Sequence, residues 1–114
     1  MADERGSIVY SNLALANAAA LVVSGAAGLT GYHLFNPGAA FTYVRLYDAG
    51  NAANVTVGTT VPKMSLGLPA NGGATRAFSK PVRFTNGIVA SCANTANGAG
   101  APAANNVVEI DYTR

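Results

Sequence analysis

Turn-forming residues punctuate this chain about every ten residues, and the runs between them are short and alternating. The stretches "SGAAGLTG", "NPG", "DAGNAANV", "PANGG", "TNG" and "NTANGAGAPAAN" are all rich in Gly, Asn or Pro. Within Asn36-Pro37-Gly38, proline fixes φ and glycine accepts positive φ, which is the chemistry of a tight turn. Short strands at this spacing are those of an antiparallel sandwich or barrel.

The runs themselves repeat with the period of a strand. Residues 41–47 place Phe41, Tyr43, Arg45 and Tyr47 on one face and Thr42, Val44 and Leu46 on the other. Residues 107–112 put Val108, Ile110 and Tyr112 opposite Val107, Glu109 and Asp111, as in a half-buried closing strand. Further strands are expected at 21–23, 32–36, 61–68, 74–78, 82–84 and 87–92, with Pro62 suited to a strand start or an edge. The two aromatic-rich runs that flank Pro37-Gly38 make a hairpin or a corner. Residues 93–105, which lack large apolar side chains, read as a loop that is mobile unless bound.

The first twenty residues fit this pattern least. Residues 1–7 are a polar arm, Ile8-Val9-Tyr10 begins a strand, and residues 11–20, where alanine favours helix but no apolar face of helical period exists, read as strand and loop. The domain division is therefore an N-terminal extension over 1–20 and a single sandwich domain over 21–114. "LALANAAALVV" resembles the apolar part of a secretory signal, but Asp3, Glu4 and Arg5 before it carry net negative charge where such a signal requires positive charge. The run is also too short to cross a bilayer as a helix. The expectation is a protein made in a cytoplasm, with no membrane partner.

At 114 residues, a single domain buries roughly two-thirds of the surface of its unfolded chain and folds without covalent staples. Cys92 is the one cysteine, so an intramolecular disulfide framework is excluded and the thiol reads as a small, partly buried apolar residue. Only 11% of the residues are charged, against about a quarter in ordinary soluble domains. The net charge of +2 and the lack of a Lys/Arg run argue against nucleic acid. A surface so weakly charged suits burial against other protein.

Candidate chemistry is sparse. His33 is the only histidine, with no second His or Cys near it in sequence, and reads as structural. Glu109 and Asp111, two apart on a strand, share a face that is read as solvated, with no further carboxylates to complete a calcium site. No G-x-S-x-G and no phosphate-binding loop occurs. No catalytic residue, metal site or cofactor is expected, and the chain is not read as an enzyme. Arg76, Lys80 and Arg83, interleaved with Phe78 and Phe84, form the densest basic patch and read as a docking edge for an acidic protein surface.

The order of short motifs "GYHLFN", "TYVRLYD", "VTVGTTVP", "LPANGG", "FTNGI" and "VVEIDY" resembles that of small virion proteins of tailed bacteriophages, those that decorate or cement the capsid. The resemblance spans roughly residues 21–114 and lies in strand and turn patterns, not in a chemical signature. It implies an antiparallel β-sandwich, jelly-roll-like, of about eight short strands. It further implies a non-enzymatic role on the capsid surface of the virion, bridging subunits of the major capsid protein, in a homodimer or homotrimer. The alternative is a tail- or fibre-associated module that binds glycan.

Residues 41–47 are apolar on both faces, and such a strand must be covered on both sides. One face is expected in the sandwich core and the other, with Phe41, Tyr43, Arg45 and Tyr47, against a partner subunit. Arg76, Lys80 and Arg83 complete the expected interface.

Overall fold

The computed structural model describes residues 8–114. Over that span the chain forms eight strands: β1 (Ile8–Leu15), β2 (Ala20–Ser24), β3 (Ala27–Asn36), β4 (Thr42–Asp48), β5 (Met64–Leu68), β6 (Gly72–Phe84), β7 (Gly87–Ala93) and β8 (Asn106–Thr113). A single 3-10 turn, Ala52–Asn54, lies between β4 and β5. The strands pair antiparallel into two sheets, ordered β1-β8-β3-β6 and β2-β7-β4-β5. Every connection except that from β4 to β5 carries the chain from one sheet to the other. This is the strand order of a jelly roll, and the expected fold class is met. Asn36-Pro37-Gly38 is therefore a corner between sheets, not a hairpin.

Period-two alternation explains the core between the sheets. From the first sheet come Leu29, Tyr32 and Leu34 of β3, Phe84 of β6, and Val108, Ile110 and Tyr112 of β8. They meet Val44 and Leu46 of β4, Leu68 of β5, and Ile88, Ala90 and Cys92 of β7. Burial pushes the Cys92 thiol up to about 11, against the weaker opposing effects of a Thr42 hydrogen bond and the Arg45 charge. At neutral pH Cys92 is thus a protonated packing residue.

Two expectations change. The short strands expected at 74–78 and 82–84 are one continuous strand, β6, because the chain between them bulges instead of turning. Its pairing with β3 shifts register between Gly31↔Ala77 and Leu29↔Val82, and Pro81 lies in the extra length. The extension over 1–20 is not separate from the sandwich either. β1 pairs with β8 from Ile8↔Tyr112 to Asn12↔Val108, Leu15 is buried, and Tyr10 packs on the core. Local helix preference of alanine yields here to a ready partner strand and a site for Leu15. The sandwich therefore includes Ile8 onward, while the polar arm over 1–7 lies outside the described residues.

Gly87 opens β7 with φ 142°, in a region that favours glycine. A Cβ there would lie 2.5 Å from the Val23 carbonyl oxygen and 2.6 Å from that of Ala49, where the ends of β2 and β4 converge. Gly87→Ala is expected to destabilise the protein by about 2 kcal/mol or more, because neither backbone can withdraw without breaking its pairing. A urea titration followed by circular dichroism measures it, as a lower midpoint with unchanged slope.

Candidate functional site

Every residue of β7 is buried, which a two-layer sandwich alone does not achieve. Its inward side chains enter the main core, whereas Val89 and Ser91 face outward, beside Tyr47 and Arg45 of β4. Over this outer face the chain lays two of its own connections. The one between β4 and β5 brings Val55, with Val57 at its margin, onto Tyr47, Ala49 and Val89 to form a second apolar cluster. Beneath it the Tyr47 hydroxyl and the Ser91 hydroxyl are hydrogen-bonded at 3.1 Å.

The connection between β7 and β8 contributes carbonyls instead of apolar groups. Arg45, 2% exposed, donates from Nη1 to the Gly98 carbonyl at 2.7 Å and from Nη2 to the Thr95 carbonyl at 2.5 Å. The same loop closes on itself through Asn94 N–H to the Gly100 carbonyl and Gly98 N–H to Thr95 Oγ1, and Asn17 Nδ2 donates to the Ala99 carbonyl. The loop expected to be mobile unless bound is held to the sheet through Thr95 and Gly98 and closed on itself between Asn94 and Gly100. Arg45 Nε is buried without an acceptor, so part of the desolvation of this cation is uncompensated.

The expected interface therefore divides. β4 is covered on both faces, as its sequence requires, but the cover over Arg45 and Tyr47 comes from the chain's own loops and not from a partner. Phe41 and Tyr43 remain outside: Phe41 is 46% exposed, and the two ring centroids lie 5.1 Å apart at 46°. They rest over Gly67 of β5, where a Cβ would approach Phe41 to 2.9 Å. Arg76, Lys80 and Arg83 are all exposed on β6. The Arg76 guanidinium lies 4.7 Å from the Phe78 ring centroid, and that ring meets Tyr32 edge-on. Arg83 borders a cleft of about 300 Å³ with Arg114, Gly28 and Pro81. Because β5 and β6 are the neighbouring edge strands of the two sheets, the aromatic pair and the basic strand occupy one side of the sandwich.

His33 stands on the open face of the first sheet, its Nδ1 2.6 Å from Thr75 Oγ1. Ser11, Glu109, His33 and Thr75 are successive register partners across all four strands. Glu109 and Asp111 share this face, and no group of three metal-binding side chains occurs among the described residues.

Asp48 was not singled out from sequence, since its role depends on a turn far away in the chain. Its carboxylate accepts from Asn86 N–H at 2.8 Å and Thr85 N–H at 3.1 Å, capping the turn between β6 and β7. Burial pushes this carboxyl up, but the amides of Asn86, Thr85 and Gly87 together with the Lys63 charge outweigh it and hold it below its ordinary value. No protein-family model, characterised protein or solved structure matches the chain.

Two expectations follow from this geometry. Arg45→Ala should free the loop over residues 94–105, read as a rise of tenfold or more in protease cleavage there while the strand signal in circular dichroism persists. Asp48, with a depressed folded-state pKa, stabilises the fold fully above its unfolded value near 3.8 and loses that contribution as pH falls through the lower folded value. Asp48→Asn should therefore lower stability at pH 7 and weaken the acid-induced loss below that value, as measured by urea midpoints across pH.

Proposed function

We propose that the protein is a bacteriophage capsid decoration protein, a non-catalytic jelly roll that docks on the major capsid protein and bridges its neighbouring subunits. The observation that carries this reading is the side of the sandwich where an exposed Phe41 packs on a half-buried Tyr43, the same side that carries the cationic edge strand β6. Exposed aromatic pairs next to arginine are the composition of an interface centre, where ring area is buried and guanidinium groups meet carboxylates. The jelly roll is a scaffold common in viral capsids and in lectins, so the fold is compatible with this role without selecting it. Low surface charge lowers the desolvation cost of lying against a shell, and repetition of a modest contact by symmetry supplies avidity.

A second reading has its own observation. At one end of the sandwich a cleft of about 420 Å³ is bordered by Asp48, Asn51, Asn54, Thr60 and Asn86. Amide and hydroxyl groups around a shallow cleft are suited to sugar hydroxyls, which is the chemistry a glycan-binding tail module needs.

Sedimentation of the purified protein with phage heads that lack it separates these readings. Saturable co-pelleting at a copy number set by icosahedral symmetry is the expected result. Phe41→Ser with Tyr43→Ser should abolish it in a folded protein. Tyr47→Ser should instead destabilise the fold by about 3 kcal/mol, because that ring is internal. Location among tail components, with retention on a glycan surface that Asn54→Ala with Asn86→Ala removes, would replace the capsid reading with the second.

A further inference from the structure

The four sheet edges are guarded unequally. β6 carries Arg76, Lys80 and Arg83 and includes Pro81, the devices by which an edge strand discourages addition of another strand. β2 and β5 are five residues each; β2 is broken by a register shift, and β5 lies between Pro62 and Pro69. β1 shares only the register shift, which lies toward its C-terminal end, between Asn12 and Leu15. Its eight residues, IVYSNLAL, contain neither charge nor proline, and its outer edge meets no strand among the described residues. Moreover, Val9 is 57% exposed and Leu13 76% exposed, on the same face of the strand.

We infer that β1 is a self-association edge, where a second copy of this chain adds its own β1 antiparallel about a two-fold axis. The occupant follows from what the edge requires and what the strand offers. Unpaired main-chain groups require another strand. An edge without charge demands a partner strand without charge, and β1 itself is one. With Ser11 on the axis, antiparallel pairing sets Val9 opposite Leu13 of the second copy and Leu13 opposite its Val9. The two most exposed apolar side chains of the strand then cover each other, and Tyr10 faces Asn12, a pairing already made within one chain by Asn12 Nδ2 donating to the Tyr10 hydroxyl at 3.1 Å. The register shift between Asn12 and Leu15 makes Leu13 the last position of the edge that this pairing uses, which limits the alternative registers. The opposite edge of the same sheet is the guarded β6, so the association closes as a dimer and does not propagate as a filament.

The inference does not rest on the capsid reading and is tested without phage heads. Sedimentation velocity of the full chain at tens of micromolar should give a dimer. Val9→Lys with Leu13→Lys, both at exposed positions, should shift it to monomer with an unchanged circular dichroism spectrum, a weakening of association of at least a hundredfold. Because Cys92 is buried, Ser11→Cys tests the register directly: oxidation with diamide should link it to itself across the axis, whereas Ser79→Cys on β6 should not link. A monomeric native protein, a dimer that survives both lysines, or linkage at residue 79 and not at residue 11 would each overturn the inference.

Discussion

Apolar side chains leave both faces of β7, and the rest of the structure depends on how the second face is covered. Ile88, Ala90 and Cys92 fill the space between the sheets, but Val89, with Tyr47 beside it, points away from that space. Two layers bury one face of each sheet. The chain therefore builds a partial third layer from its long connections, an apolar one through Val55 and a polar one held by Arg45. The polar part needs no apolar residues, because two main-chain carbonyls over a guanidinium supply charge-assisted hydrogen bonds where a hydrophobic contact would otherwise be.

That arrangement makes the two faces of the sandwich unequal. The outer face of the β2-β7-β4-β5 sheet is covered over β4 and β7 by the protein's own loops, with the Phe41–Tyr43 corner, Leu21 of β2 and Ser65 of β5 beyond them. The outer face of the β1-β8-β3-β6 sheet has no such cover among the described residues, and its middle row of Ser11, Glu109, His33 and Thr75 is polar throughout. The alternation of β8, with Val108, Ile110 and Tyr112 inward and Glu109 and Asp111 outward, already contains this division. Glu109 and Asp111 at the middle of this face favour its solvation, whereas its exposed apolar side chains, Val9, Leu13 and Phe35, lie away from that polar row.

Much of this was legible in the sequence because strands and turns are local. Period two in residues 107–112 and 41–47, and the chemistry of Asn36-Pro37-Gly38, are set by neighbours in the chain. The need for cover on both faces of β4 was legible too, but not what covers it. A loop of Ala, Gly and Asn carries no sign that its carbonyls will meet an arginine some fifty positions earlier, as Arg45 and Thr95 do. β1 was obscured for a related reason. Alanine next to the strand weakens the local signal, and only β8, nearly a hundred residues later, decides between strand and helix. Asp48 and the amides of Thr85 and Asn86 are likewise a pairing of distant segments.

The edges connect the inference on assembly with the proposed role. β1 and β6 are the opposite edges of one sheet, so pairing two copies through β1 makes an eight-stranded sheet that ends in β6 at both extremities. Seven inter-strand spacings of about 4.8 Å separate those ends by roughly 34 Å. The aromatic corner of Phe41 and Tyr43 lies on the β5–β6 side in each copy, so each end presents the same rings beside the same cations. A dimer of this form is bivalent by construction, and a bivalent body is what bridging of two neighbouring subunits demands. A monomer with one such side could bind a shell but could not tie its subunits together. Under the proposed role the two edges would then have complementary consequences: pairing through β1 would set how many docking surfaces the particle has, and β6 what they grip.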